Sequence, residues 1–159
     1  MAMGGRNAPE GVVELKFFRF PTDKVNMFEW KTEYATGIGS IDAQHQTLFA
    51  LGRELYSAMS AGQGKAVLAR ILDRLVQYTK VHFAHEERLM QLHGYPGFAA
   101  HKAQHDQLVN QVLAFQTEFT SGRVTIAVQV LQFLKDWLEN HINRSDQAYT
   151  GCLKANKAA

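Results

Sequence analysis

Apolar residues recur at steps of three and four through most of this chain, and they do so in four separate runs. The first starts near Ser40, carries Ile41, His45, Leu48, Gly52, Leu55 and Met59 on one stripe, and runs out at Gly62 and Gly64. The second spans about Lys65 to Leu92, with Ile71, Leu75, Tyr78, His82, Glu86 and Leu89 in phase. A turn rich in glycine and proline, His93 to Gly97, precedes the third run, which starts near Phe98. That run places His101, His105, Leu108, Val112, Phe115 and Phe119 on one face and closes at Ser121-Gly122. The fourth begins near Thr125, aligns Val130, Leu134, Trp137, Leu138 and His141, and continues past Asp146. Such spacing predicts amphipathic α-helices. Asp42 and Thr125 are expected as N-caps, because a short polar side chain there satisfies free backbone N–H groups. Four rods joined by short turns stack antiparallel. The expected fold is all-α: an antiparallel up-down-up-down four-helix bundle with an N-terminal extension.

The first 26 residues carry a different pattern. Val12 to Pro21 is rich in β-branched and aromatic residues and could form a strand, but one strand alone has no partner. Residues 1–26 are therefore expected to be an irregular extension. Met27 opens a run, MFEWKTEYATGIGSID, that reads as the start of the folded unit, so the upstream residues read as a start-site addition. The expected boundaries are 1–26 for the extension, 27–153 for the bundle and 154–159 for a C-terminal tail.

Composition narrows the picture without changing it. A chain of 159 residues with 46% hydrophobic content can build one domain with a sizeable core. The net charge is +2 with histidine neutral, and no run of lysine and arginine stands out, so no nucleic-acid partner is expected. No apolar stretch approaches the roughly 20 residues of a membrane span. Met1 to Glu10 lacks the apolar core of a signal peptide. Cys152 is the only cysteine and has no internal partner for a disulfide. These features make a soluble, cytoplasmic protein the expectation, with Cys152 inert.

The candidate chemistry lies within the apolar stripes. His45, His82 with Glu86, His101 with His105, and His141 with Asp146 are spread over the four runs. Residues four apart on a helix share a face, so H-x-x-x-E and H-x-x-x-H each offer two donors to one cavity. Any one of these residues could be a hydrogen-bonded core histidine, and Glu86 with His82 could be a plain helix pair. Seven together, all in phase with buried positions, would be costly without compensation, and metal ions supply it. Imidazole with carboxylate suits iron, although imidazole also serves zinc. His85 and His93 fall outside the set. Both are expected to be solvated or locally hydrogen-bonded, His85 being the nearer to a ligand because it lies three residues past His82.

The order H…HxxxE…HxxxH…HxxxxD, with Trp137-Leu138 just before His141, resembles hemerythrin. The stretches GIGSIDAQHQTLF, FAAHKAQHDQLV and DWLENHI resemble the bacterial, single-domain hemerythrins, and the likeness spans about Phe28 to Leu153. It implies reversible dioxygen binding, for carriage, storage or delivery, at a non-haem di-iron centre. On this resemblance His101, His105 and His141 would bind one iron and His45 and His82 the other. Glu86, Asp146 and a hydroxo or oxo ligand would bridge the two ions (Fe2+ or Fe3+), leaving an open position on the iron held by His45 and His82. Leu138, Ile142 and Ser145 fall inside the helical arc bounded by His141 and Asp146 and are expected to line the oxygen pocket. A hydroxyl at Ser145 would admit water and speed autoxidation, although by its type alone it is expected simply to bond a backbone carbonyl. The alternatives are oxygen or redox sensing, for which no signalling domain fits in this chain, and a di-iron enzyme acting on peroxide or nitric oxide. Oxygen-activating bundles use Glu-x-x-His motifs, which this chain lacks, so binding is favoured over catalysis. Dioxygen is the expected partner, and any protein recipient of the oxygen is left open.

Overall fold

The computed structural model describes residues 27–63, 65–122 and 126–155. A single 3-10 turn, Thr32–Tyr34, leads into α1 (Gly39–Ser60), α2 (Lys65–Leu92) and α3 (Phe98–Thr120). The fourth rod has three parts: α4 (Ile126–Asn140), a π-helical turn (His141–Asp146) and α5 (Gln147–Ala155). Among the described residues there is no strand. The strand candidate Val12–Pro21, the stop at Gly64 and the cap at Thr125 lie outside the described residues.

Asp42 does not cap α1 as expected. Ile38 holds the cap position, and Asp42 sits inside the first turn. From there its Oδ1 accepts from the Thr36 amide and hydroxyl, both at 2.7 Å, and its Oδ2 accepts from the Gly37 amide at 3.0 Å. Gly37, at φ +73°, makes the turn that brings those donors back. The carboxylate thus satisfies backbone donors just upstream of the helix, a reciprocal of ordinary capping. At the other end, Gly62 (φ +64°) takes the left-handed conformation, and the Gln63 amide donates to the Ala58 carbonyl at 2.9 Å. This is a glycine-terminated helix end.

The α1 helix packs on α2 and α4, and α3 packs on α2 and α4, which closes the four rods into an antiparallel bundle. The main core joins side chains such as Leu48, Leu55, Ile71, Leu75, Leu108, Val112, Leu134 and Leu138 from all four rods. A smaller cluster of Ile38, Ile41, Met90, Tyr149 and Leu153 seals the end where α1 starts and α2 finishes. The segment before α1 is tied down as well. Phe28 is buried against Gly52, where any Cβ would overlap the phenyl ring, and the Phe28 carbonyl accepts from Arg53.

Candidate metal centre

All seven candidate donors converge in the interior, each 5% exposed or less. His45 comes from α1, His82 and Glu86 from α2, and His101 and His105 from α3. His141 and Asp146 are the first and last residues of the π-helical turn. That turn answers a problem in the spacing. On a regular α-helix, residues five apart diverge by roughly 140°. A π turn widens the helix and bonds i to i+5, and such turns favour functional sites. His141 and Asp146 therefore face the same cavity, with His141 Nε2 3.1 Å from Asp146 Oδ1.

The two carboxylates divide their oxygens between two unequal groups of histidines. Glu86 Oε1 lies 3.4 Å from His45 Nε2 and 3.6 Å from His82 Nε2. Glu86 Oε2 lies 3.3 Å from His105 Nε2 and 3.7 Å from His101 Nε2. Asp146 repeats the division, with Oδ2 at 3.2 Å from His45 and Oδ1 at 3.4 Å from His101. The Nε2 atoms of His101 and His141 stand 3.0 and 3.2 Å from that of His105. Three ring nitrogens turned on one another cannot all be satisfied by protons. Donors at right angles around an ion, each about 2.1 Å from it, stand roughly 3 Å apart.

Unsatisfied polar atoms make the same point. Among the described residues, His45 Nδ1 and Nε2, Glu86 Oε2 and both Asp146 carboxylate oxygens are buried with no hydrogen-bond partner. Each such atom costs about 1–3 kcal/mol if nothing replaces water. Two sets of donors, Glu86 with His101, His105 and His141, and His45 with His82 and Glu86, each lie within 4.8 Å of one another. The set is therefore suited to cations, and its nitrogen and carboxylate chemistry suits iron.

Proton energetics follow from the same contacts. Burial pushes His45 down, but the Asp146 and Glu86 carboxylates outweigh it and hold the ring up at about 9. Burial dominates at His82 and brings it down to about 4. Burial would raise Glu86, yet the surrounding histidines hold it well below the usual carboxylate range. Asp146 is also lowered: burial and the Glu86 charge oppose ionisation, and His141 and His45 prevail. Both carboxylates are thus anions, the form that binds metal.

A supporting layer orients the rings. His82 Nδ1–H donates to Gln44 Oε1 and His105 Nδ1–H donates to Glu87 Oε1, each at 3.0 Å. Each bond leaves the Nε2 lone pair facing the cavity. Tyr149, fully buried, donates its hydroxyl to Glu86 Oε1 at 2.5 Å. Phe83 stacks on His105 (3.6 Å, 3°) and Trp137 on His141 (4.2 Å, 15°). Stripe periodicity did not single out Gln44, Glu87 or Tyr149. The available signal was adjacency: Gln44 precedes His45, Glu87 follows Glu86, and Tyr149 lies three residues past Asp146.

Leu138 and Ile142 are buried in the main core, whereas Ser145 is not with them. Its hydroxyl donates to Gln104 Oε1 at 2.6 Å, in a groove between α3 and the fourth rod. The arc that placed Ser145 in a dry pocket assumed α-helical phase, and the π turn rotates the residue out of it. His85 stays outside the cluster, 3.1 Å from the Ser40 hydroxyl, and the His93 carbonyl accepts from Cys152 Sγ.

Comparison with known proteins agrees with this geometry. A family model described as the hemerythrin HHE cation binding domain matches residues 36–153. A bacteriohemerythrin of Methylococcus capsulatus is 38% identical over 123 residues, covering 77% of this chain and 93% of its own length. Another, from Stenotrophomonas maltophilia, is 36% identical over 127 residues, covering 80% and 82%. The crystal structure of a wild-type hemerythrin superposes with a TM-score of 0.72 at 38% identity, covering 78% of this chain and 95% of that one.

Proposed function

The chain belongs to the hemerythrin family, and from that premise we propose that it binds dioxygen reversibly at a di-iron centre held by the seven converging side chains. One observation carries the reading. Glu86 and Asp146 each turn one oxygen toward His45 and the other toward the opposite histidines. A carboxylate so placed could serve two ions, and Glu86 and Asp146 together would hold a pair of them. Two ferrous ions there would supply the two electrons by which dioxygen is captured and released.

The chain's own residues explain why the site binds a small ligand at one end. His101, His105 and His141 would offer three nitrogens to one ion, and His45 and His82 would offer two to the other. The second end has one protein donor fewer, which would leave room there for the ligand. Leu138 and Ile142, with Phe83 against His82, place hydrocarbon around the cluster and exclude water. Exclusion of water favours reversibility, because a change of charge in a poorly polarisable interior is costly. The Tyr149 hydroxyl, also buried, holds Glu86 at the oxygen that faces His45 and His82. The bundle therefore fits a carrier, store or delivery protein. Among the described residues no helix is long and apolar enough to cross a membrane.

An iron count with optical spectra under oxygen and under vacuum tests the reading. Two irons per chain, with an absorption band that appears with oxygen and fades on evacuation, is the expected result. Fewer than two ions after careful reconstitution, or steady consumption of oxygen or peroxide, would overturn it.

A further inference from the structure

A groove of about 520 Å³ opens between α3 and the fourth rod, and Trp137 and His141 both line it. That volume lies within the roughly 300–1,000 Å³ of small-molecule sites. The wall and floor have a definite chemistry. Phe133 and Trp137 offer aromatic faces, Gln104 and Gln107 offer amides, and Arg144 offers a guanidinium. Ser145 occupies the carbonyl oxygen of Gln104, which leaves that amide's N–H groups to donate elsewhere. A flat ring with carbonyls and ring nitrogens on its edge matches aromatic faces flanked by amides. The indole of Trp137 then stacks directly on His141, at 4.2 Å and 15°. Conjugated rings in contact shorten the gap an electron must cross, and saturated side chains lengthen it. Among the described residues no ring stacks on the opposite pair, His45 and His82; Trp30 stands 6.4 Å from His45, tilted by 37°.

We propose that this groove is an electron-entry port, in which a reduced flavin-type ring rests on Trp137 and returns the oxidised site to its ferrous form through His141. The inference rests on the di-iron reading above. The step balances. A flavin hydroquinone anion loses two electrons and one proton and becomes the oxidised flavin. Each of two ferric ions gains one electron, and the oxo bridge takes the proton and becomes hydroxo.

The test uses the full chain and three electron donors. Oxidised di-iron protein is mixed anaerobically with reduced flavin mononucleotide, and its reduction is followed optically. The rate is expected to saturate with flavin concentration, and Gln107→Trp, which fills the groove, is expected to lower it at least tenfold. Dithionite reduction, which needs no seat, should change less than twofold in the same variant. Trp137→Leu is expected to lose tenfold, and Trp137→Phe, which restores a ring, to keep at least half the rate. In metal-free protein, quenching of flavin fluorescence should show saturable binding that Gln107→Trp weakens at least fivefold. If free flavin fails but reduced flavodoxin gives a saturable rate with the same response to Gln107→Trp, the ring is supplied by a protein and the port stands. Rates that rise linearly with both the free flavin and the flavodoxin, or flavin-driven rates that ignore Gln107→Trp, overturn it. Loss of oxygen binding or of two-iron stoichiometry would sink the functional reading instead, and the metal-free titration tells the two failures apart.

Discussion

The two ends of the cluster do the same task with unequal parts. Two of the three histidines at one end are backed by stacked rings, Phe83 on His105 and Trp137 on His141, and His105 is oriented by the Glu87 carboxylate. Among the described residues, His82 has a neutral partner, Gln44, while His45 Nδ1 has no hydrogen-bond partner. The three-histidine end is the more heavily braced. On the proposed reading the two-histidine end has one protein donor fewer. In a binding protein that asymmetry has a use, because a rigid end keeps its metal while the other can gain and lose a ligand.

Removing a carboxylate should erase the difference altogether. Asp146 contacts both ends, so Asp146→Ala is expected to lose both ions and the oxygen-dependent spectrum, read by metal analysis after reconstitution. Single histidine deletions should reveal the asymmetry instead. His82→Ala is expected to retain about one ion per chain, because the other end keeps its three nitrogens and two carboxylate oxygens. His105→Ala should hold less metal than His82→Ala, since it opens the end that anchors the pair. Equal losses from the two variants would mean the ends are equivalent.

The oriented rings allow a finer comparison. Glu87→Gln keeps the hydrogen bond to His105 but removes the anion, and it is expected to weaken metal retention roughly 10- to 100-fold in a chelator challenge. Gln44→Ala, which removes a neutral partner from the other end, should weaken it less. The smallest effect belongs to Ser145. Because its hydroxyl bonds Gln104 outside the core, Ser145→Val should leave the autoxidation rate within about twofold and cost only about 0.5–1.5 kcal/mol in thermal stability. A large change in autoxidation would restore Ser145 to the pocket.

The bundle and six of its seven inward donors were legible from periodicity, because burial imposes a 3.6-residue rhythm whichever way neighbouring rods pack. The i, i+4 pairs on α2 and α3 could be read the same way, since a regular helix carries phase information along its length. That phase fails after His141. The five-residue step to Asp146 needs a wider turn, and the turn moves Ser145 from an apparent pocket position to a surface groove. Asp42 shows a similar limit: its type suits a cap, but the backbone path at Gly37 makes it accept from upstream amides instead. Which oxygen of Glu86 faces His45 and which faces His101 and His105, and that Phe83 stacks on His105, depends on contacts between residues 15 to 41 positions apart. Local rhythm along a chain holds no record of those distances; they arise when separate rods close on one cavity.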